Sequence, residues 1–258
     1  MMGATHGVGG LAVGAATVLT ARELGVDLDG AQAAIVIACG AVAAELPDLD
    51  LRTSRISHGT SSLTGVPFVG RLALLLTLPV VLAGAAIRST GVSHRGPTHS
   101  VAAALAWTAA IVPLYGLYWW LLGALLRFVA AQTPLLASLS LADTSALQHA
   151  WFGVAPVVAI ATLTAYLSHL LLDDMTPAKQ SLLWPLRTEN ISVLRRPQVP
   201  VGGAREFLLV ALPLGLLALS LGWQAAGPFL PAPGDLYDQS ALQQLVMQSE
   251  RDADAAAR

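Results

Sequence analysis

The sequence predicts an all-α membrane protein with several spanning helices, and three observations lead to this prediction. Only 12% of the 258 residues are charged, about half the roughly 25% that is usual in a soluble domain. Hydrophobic residues make up 55% of the chain, and the mean hydropathy is +0.63. Many of them are gathered in long runs, as a hydrocarbon core about 30 Å thick requires. The net charge of −2 gives no broad basic surface, so a nucleic-acid partner is not expected.

Five apolar runs are predicted to cross the membrane as α-helices. A spanning helix needs about 20 residues, because each residue advances it by about 1.5 Å. The runs approach or exceed this length, and the first is bounded by the charged pair Arg22 and Glu23. They occupy residues 7–24, 31–46, 99–126, 150–172 and 207–223.

A sixth apolar run lies between the second and the third of these and has a different character. It covers residues 72–87 and is 16 residues long, like the run 31–46, but unlike that run it carries Pro79 near its middle. Proline removes a helix hydrogen bond, and a run this short is typical of re-entrant or interfacial segments. We therefore expect this run not to cross the bilayer.

The composition also predicts a large membrane-embedded domain followed by a short tail. Residues 1–226 contain all the apolar runs. Residues 227–258 begin with several prolines and end in QSERDADAAAR. A polar chain end of this kind is typical of a mobile tail.

Ionisable side chains gather at the ends of the predicted spans instead of being scattered. Such groups are costly to hold in or beside a bilayer, and they are usually retained for function. Several histidines together with aspartates have the composition of a mononuclear or multinuclear hydrolytic metal centre. The residues are His6 in ATHGVGG, Asp48 and Asp50 in AAELPDLD, His94, Arg95 and His99 in SHRGPTHS, and His169 and Asp173 in YLSHLLLDD.

The PDLD motif presents two carboxylates just after the second predicted span. Pro47 ends the helix, which allows Asp48 and Asp50 to turn toward a common point. Paired carboxylates bind hard or borderline divalent cations. The alternative is a polar helix stop at the membrane boundary. This motif alone does not distinguish a metal site from such a stop.

The pair His169 and Asp173 is spaced for joint binding of one ion. Residues four apart share a face of a helix, and histidine with carboxylate is a common ligand pair for zinc. The alternative is an interfacial histidine followed by a C-terminal aspartate. In that case Asp173 and Asp174 both oppose the helix dipole, which requires a positive partner such as a metal ion or Arg95.

The stretch SHRGPTHS is expected to form a turn and the start of the third span. Pro97 suits the first helical position, and a helix N-terminus beside Arg95 and Thr98 can hold an anion. His94 and His99 are candidates for metal ligands or for a general acid and base. The alternative is a membrane-boundary cap in which Arg95 reaches the lipid headgroups. A cap explains the arginine and the proline but not the two histidines.

The number of crossings decides whether these residues can share one site. If all six runs crossed, His6 and the PDLD aspartates would lie on one side of the membrane and the other motifs on the opposite side. If residues 72–87 do not cross, every motif lies on the same side. This five-span topology places ten of the 14 lysines and arginines on the motif side, as expected for the cytoplasmic face. We therefore predict a single site on the cytoplasmic side.

The motifs THGVGG, PDLD, HRGPTHS, YLSHLLLD and VGGAREF together resemble those of the YdjM-type family of membrane-bound metal-dependent hydrolases. The likeness covers residues 1–207 and implies a bacterial inner-membrane location. The family is distantly similar to zinc-dependent phospholipases C, so the resemblance implies zinc, with manganese or iron as alternatives. It implies metal contact by His6, Asp48, His99, His169 and Asp173, with Asp50, His94 and Arg95 nearby. From their chemistry we infer that these last three are catalytic residues.

Two functions from different classes are compatible with these residues. The first is a hydrolase of a phosphoester in a lipid or lipid-linked substrate, with a metal-activated water and with Arg95 holding the phosphate. The second is a metal-ion or proton transporter that uses the same histidines and aspartates. A transporter predicts ligands near the bilayer midplane and broken helices. The residues lie at helix ends, which favours the hydrolase and makes membrane lipids the expected partners.

Overall fold

The structure is a computed structural model, and it describes most of the membrane-embedded part of the chain. The described residues are 3–51, 54, 67–91, 95–132, 145–177, 179–193, 199, 201 and 203–227. The chain divides into one unit that ends at Ala225 and a second, Ala226–Arg258, of which only the first two residues are described. His94 and residues 228–258 lie outside the described residues, so the role of His94 and the mobility of the tail stay predictions.

Helices dominate the described chain, and within it no strand forms. A single antiparallel bridge joins Gln180 and Ile191. The all-α prediction is therefore confirmed. The helices in the described ranges are α1 (Gly3–Glu23), α2 (Gly30–Ala43), α3 (Pro67–Ser89), α4 (Val101–Gln132), α5 (Ser145–Gly153), α6 (Ala155–Asp174) and α7 (Ala204–Ala226), and 3₁₀ turns cover Leu46–Asp50 and Pro97–His99.

Among the described helices, α1, α4, α6 and α7 are long and apolar enough to cross a membrane. The helix α2 has only 14 residues, about 21 Å at 1.5 Å per residue. It is apolar but shorter than these four, and counting it with them gives five candidate crossings. The prediction of about five spans therefore agrees with the structure.

All five predicted spans have somewhat different bounds in the structure, and proline accounts for the differences in two of them. The second span, predicted to reach residue 46, ends at Ala43, ahead of the 3₁₀ turn that contains Pro47. The fourth, predicted to begin at residue 150, is divided, because α5 ends at Gly153 and α6 begins anew with Pro156 in its first turn. Proline is favoured in a first turn because it has no N–H to leave unsatisfied.

The helices α1 and α2 run in opposite directions with their backbones in close contact. A Cβ atom added to Gly40 would lie 2.6 Å from the carbonyl oxygen of Gly10, and one added to Gly14 would lie 2.8 Å from the Cα atom of Ile37. Small residues permit this approach between membrane helices. The contact places the first turns of α1 beside the last turn of α2.

The helix α3 contains the short apolar run and extends beyond it. It has 23 residues and continues through Pro79, as membrane helices can when their surroundings satisfy the backbone. Length alone therefore does not exclude a crossing. The last turn of α3 contacts the turn Leu46–Asp50, where the Nη1 atom of Arg88 donates to the carbonyl oxygen of Leu49 at 2.8 Å.

The positions of the chain before and after α3 show that it does not cross as a single pass. Asp50 precedes this segment and Thr98 follows it, yet the Thr98 hydroxyl donates to Asp50 Oδ2 at 3.3 Å. Both ends of the segment therefore lie at the same end of the bundle. An even number of crossings must separate them, in agreement with the predicted re-entrant or interfacial placement of residues 72–87.

The helix α6 is central and packs against α1, α2 and α4. Its buried face repeats every four residues and includes Ala161, Ala165, His169 and Asp173, a spacing that keeps side chains in one row. The alanines lie in the apolar core. Because the core fixes the rotation of α6, it also fixes the direction in which His169 and Asp173 point.

Candidate metal centre

Helix ends and 3₁₀ turns meet at one end of the bundle and bring together all five residues predicted to bind metal. The first turn of α1 contributes one histidine, the two 3₁₀ turns contribute an aspartate and a histidine, and the last turns of α6 contribute the other pair. The three histidines and one aspartate are fully or almost fully buried, while the other aspartate is 19% exposed. The five are His6, Asp48, His99, His169 and Asp173.

Asp173 lies between the three imidazoles. Its Oδ1 atom is 3.2 Å from Nε2 of His6, and its Oδ2 atom is 3.6 Å from Nε2 of His99 and 3.8 Å from Nε2 of His169. The oxygens of Asp173 therefore approach the Nε2 atom of each of the three imidazole rings. Its side chain is only 3% exposed.

Asp48 approaches the same nitrogens from the more exposed side. Its Oδ1 atom is 3.5 Å from Nε2 of His99 and 3.8 Å from Nε2 of His169. The two histidines thus stand between two carboxylates. Asp48, with a side chain 19% exposed, is the member of the cluster that water can reach.

These separations match the donor spacing of a tetrahedral ion. Zinc binds nitrogen and oxygen at about 2.0–2.1 Å, which places neighbouring donors roughly 3.3 Å apart. The measured separations between carboxylate oxygens and imidazole nitrogens run from 3.2 to 3.8 Å. Two overlapping groups, each with donors within 4.8 Å of one another, share His169. One imidazole nitrogen has one lone pair, so His169 can hold a single ion.

The protonation of His169 is set by the end of α2. Its Nδ1 atom lies 2.6 Å from the carbonyl oxygen of Ala44, a contact that requires the proton on Nδ1. The lone pair is then on Nε2, which is buried and has no hydrogen-bond partner among the described residues. Metal-binding histidines usually donate their other ring N–H to a carbonyl or carboxylate in this way. The His6 ring stacks on that of His169, with centroids 3.7 Å apart.

Thr98 sets the orientation of His99 in a similar way, and Asp50 stands behind it. The hydroxyl of Thr98 lies 3.3 Å from Nδ1 of His99 and donates to Asp50 Oδ2 at 3.3 Å. Because the Thr98 hydroxyl donates its own proton to Asp50, its oxygen accepts the hydrogen bond from the Nδ1–H group of His99. Nε2 of His99 is then the acceptor nitrogen, directed at the aspartates. Asp50 therefore acts on the cluster through Thr98 and not as a sixth donor.

The electrostatic field of the cluster keeps Asp48 ionised. Burial alone would raise the pKa of Asp48, but the neighbouring imidazoles of His99, His169 and His6 stabilise its carboxylate whenever they carry a second ring proton, and together they lower the pKa to about 2. A carboxylate that is charged at every physiological pH is suited to bind a cation. It is poorly suited to accept a proton near pH 7.

Arg95 lies against the aspartate at the centre of the cluster. Its Nη2 atom is 3.2 Å from Asp173 Oδ2, and its Nη1 atom donates to Thr176 Oγ1 at 3.5 Å. Its backbone is left-handed, with φ 61°, which is uncommon for a residue other than glycine and is typical of functional sites. Arg95 thus provides the positive partner that the aspartates at the end of α6 require.

Three buried residues, Thr5, Tyr166 and Glu206, support the site and were not predicted from the sequence. Tyr166 donates its hydroxyl to the carbonyl of Thr98 and so holds the turn before α4. Glu206 is fully buried and accepts a hydrogen bond from the hydroxyl of Thr5, next to His6, at 2.8 Å. Spacing could not reveal these contacts, because they join residues far apart in the chain. Only the VGGAREF motif marked the neighbourhood of Glu206.

The comparison with known families agrees with this geometry. The chain matches the family described as YdjM inner membrane protein over residues 1–228, which includes every residue of the cluster. No curated protein and no solved structure matches the chain. The match covers far more than half of the 258 residues, and the described helices are those of a membrane protein. The chain belongs to the YdjM inner membrane protein family.

Proposed function

We propose that the protein is a membrane-bound metal-dependent hydrolase that cleaves a phosphoester in a lipid or lipid-linked substrate. The observation that carries the proposal is the cluster of three histidines and two aspartates at the end of a membrane-embedded bundle. The candidate donors are the imidazole nitrogens of His6, His99 and His169 and the carboxylate oxygens of Asp48 and Asp173, and three or four of them together would hold one divalent ion and leave it a position for water. Nitrogen and oxygen donors suit zinc first, and manganese or iron also.

A divalent ion in this cluster would supply an activated water and a Lewis acid for a phosphoryl oxygen. The protein residues set the conditions around it. Thr98 and the carbonyl of Ala44 keep His99 and His169 in the tautomer that presents Nε2. The low pKa of Asp48 favours a role as ligand over a role as base. A general acid or base is left to His94, which lies outside the described residues.

Arg95 is suited to hold the substrate phosphate. Its side chain is 19% exposed, so it reaches from the buried Asp173 toward the surface. A guanidinium has five N–H donors in a rigid fork that fits phosphate oxygens. We propose that Arg95 orients Asp173 with one edge and binds the phosphate with the other. The phosphate would then lie beside the donor cluster.

The position of the cluster supports a substrate that resides in the bilayer. The donors lie at the ends of helices that are long enough to span, where headgroups are expected, whereas a transporter is expected to hold its ion near the midplane. This supports the hydrolase over a metal-ion or proton transporter. We place the site on the cytoplasmic side of the inner membrane, because most lysines and arginines lie on the same side as the motifs.

The test measures metal content and hydrolysis on the same preparation. We expect purified wild-type protein to carry about one equivalent of a divalent ion and to release phosphate or a phosphorylated headgroup from a phospholipid or lipid-phosphate panel in mixed micelles. Asp48→Ala and His169→Ala should lose both properties. His149→Ala is the matched control, because His149 is exposed on α5. A protein that holds the ion but cleaves no phosphoester would contradict the hydrolase and leave the metal centre intact.

A further inference from the structure

The loop that follows α6 exposes large apolar side chains outside any spanning helix. Within residues 179–193, Leu183 is 40% exposed, Trp184 37% and Leu186 89%. Exposed leucines on spanning helices are expected, because those helices face lipid. On a loop beyond the end of a helix, the same exposure to water is unfavourable.

The base of this loop is closed, so its tip projects as a defined lobe. The backbones of Gln180 and Ile191 exchange two hydrogen bonds, at 2.9 and 3.3 Å. The hydroxyl of Ser181 donates to Asn190 Oδ1 at 2.6 Å. Residues 182–190, which we call the lobe, therefore leave and return at nearly the same point.

The lobe is attached to the residues around the metal centre. The N–H of Ser181 donates to the carbonyl of Arg95 at 3.3 Å, and the N–H of Val101 donates to the carbonyl of Leu182 at 3.1 Å. On the far side of the loop, the N–H of Val193 donates to Asp174 Oδ2 at 2.8 Å. These contacts hold the base of the lobe level with the first residue of α4 and the last residue of α6, where two spans end.

We propose that the lobe dips into the headgroup region of the bilayer on the side of the metal centre, with Leu183, Trp184 and Leu186 as its anchors. The level of the helix ends determines the depth, and tryptophan is the residue most typical of this interface. Arg187 follows Leu186 directly and is exposed, as suits a side chain among phosphate groups. The partner is the lipid bilayer itself, and the proposal holds whether or not the site hydrolyses a phosphoester.

The consequence for the site is lateral access. The base of the lobe is bonded to the backbone of Arg95 through the N–H of Ser181. Lipids around the lobe would therefore lie beside Arg95. A molecule diffusing in the plane of the membrane could then reach the cluster without leaving the bilayer. This deepens the proposed function without depending on it.

The test uses single cysteines that carry a polarity-sensitive fluorophore in reconstituted vesicles. Cys39 is the only natural cysteine, so Cys39→Ala provides the background. The test site is Leu186→Cys. Asp27→Cys, in the exposed connection between α1 and α2, is the water control, and Leu216→Cys, 61% exposed on α7, is the lipid control. Quenching by iodide in water is compared with quenching by phospholipids spin-labelled near the glycerol.

We expect the ratio of lipid quenching to iodide quenching at position 186 to be several-fold higher than at position 27. A ratio no higher than that at position 27 would overturn the proposal, because the lobe would then lie in water. Retained helix content and metal content show that each labelled variant is folded. The loss of hydrolysis in a site variant such as Asp48→Ala should leave the quenching ratio unchanged, which separates this proposal from the proposed function.

Discussion

The Nε2 atom of His6 lies 3.2 Å from Oδ1 of Asp173, although 166 residues stand between them in the chain. This contact joins the first turn of the first span to the last turn of α6. His169 shares α6 with Asp173, but the other donors come from α1 and from the two 3₁₀ turns. The centre is therefore a property of the assembled bundle and not of a local motif.

The substitution Asp173→Asn should abolish metal binding while preserving the shape of the side chain. It removes the charge that faces three imidazoles and Arg95, so we expect metal content near background by elemental analysis. Asp29→Asn is the control, because Asp29 caps α2 on the exposed surface and asparagine caps equally well. Wild-type metal content in the Asp173→Asn variant would exclude Asp173 as a ligand.

The substitution Thr98→Val should weaken metal binding without removing a donor. Valine has nearly the shape of threonine but cannot hold the Nδ1 proton of His99 or bond to Asp50. Loss of a group that orients a metal-binding histidine lowers metal affinity by about 10- to 100-fold. Chelator competition measures the change, and Thr98→Ser, which keeps the hydroxyl, should restore most of the affinity. Equal affinity in Thr98→Val and wild type would show that Thr98 does not orient His99.

The substitution Arg95→Lys should separate phosphate binding from metal binding. Lysine can keep the ion pair with Asp173 but cannot present two parallel donors to a phosphate. We expect turnover of a lipid phosphate to fall at least about tenfold, the equivalent of 1.4 kcal/mol, with metal content unchanged. Arg127→Lys, near the end of α4, is the matched control. Loss of metal together with activity would instead show that Arg95 serves mainly to orient Asp173.

The substitution Gly40→Ala should destabilise the pairing of α1 and α2. The added methyl group would meet the carbonyl oxygen of Gly10 at 2.6 Å, and overpacking of this kind costs about 1–3 kcal/mol. Gly215→Ala is the matched control, since a Cβ atom on this residue of α7 would meet nothing within 4 Å. Thermal unfolding of the detergent-solubilised protein measures the difference, which should appear as a lower Tm for Gly40→Ala alone.

Acid should release the metal by protonating the donor groups. Protons compete with a metal ion for imidazole nitrogens and carboxylate oxygens, so metal affinity falls as the pH falls. The pKa of Asp48 is lowered to about 2, so the contribution of this carboxylate is present above about pH 4 and is lost only as the pH falls toward 2. We expect the bound metal, measured after dialysis, to decrease as the pH is lowered. A metal content that stays unchanged from neutral pH down to about pH 2 would contradict ligation by histidine and aspartate.

The sequence predicted the helices and the meeting of the five candidate ligands from few rules. His169 and Asp173 were assigned to one face by their spacing, and both now lie on the buried row of α6. The requirement that His6 and His99 share a side followed from counting crossings. These inferences succeeded because helix periodicity depends only on the local sequence, and the number of crossings depends only on how many apolar runs can span a bilayer.

Other parts of the site depend on contacts that no local rule contains. The catalytic role of Asp50 stays a prediction, but its hydrogen bond from Thr98 could not be predicted, because it is set by the packing of two separate 3₁₀ turns. The continuation of α3 through Pro79 depends on how the surrounding groups satisfy the backbone there. Glu206 is buried beside Thr5 because α7 packs back against α1. Each of these required the three-dimensional arrangement.

The sharing of His169 between both groups of donors has a consequence for biosynthesis. The first two helices supply only His6 and Asp48, and every group of three donors in the described chain includes His169. A ribosome must therefore complete and insert α6 before any set of ligands exists. Capture of an ion would then be the closing step of assembly, and its binding free energy would add to the stability of the finished bundle and not to that of a nascent fragment. A chain truncated before α6 should leave the translocon without a complete set of ligands and be open to proteolysis.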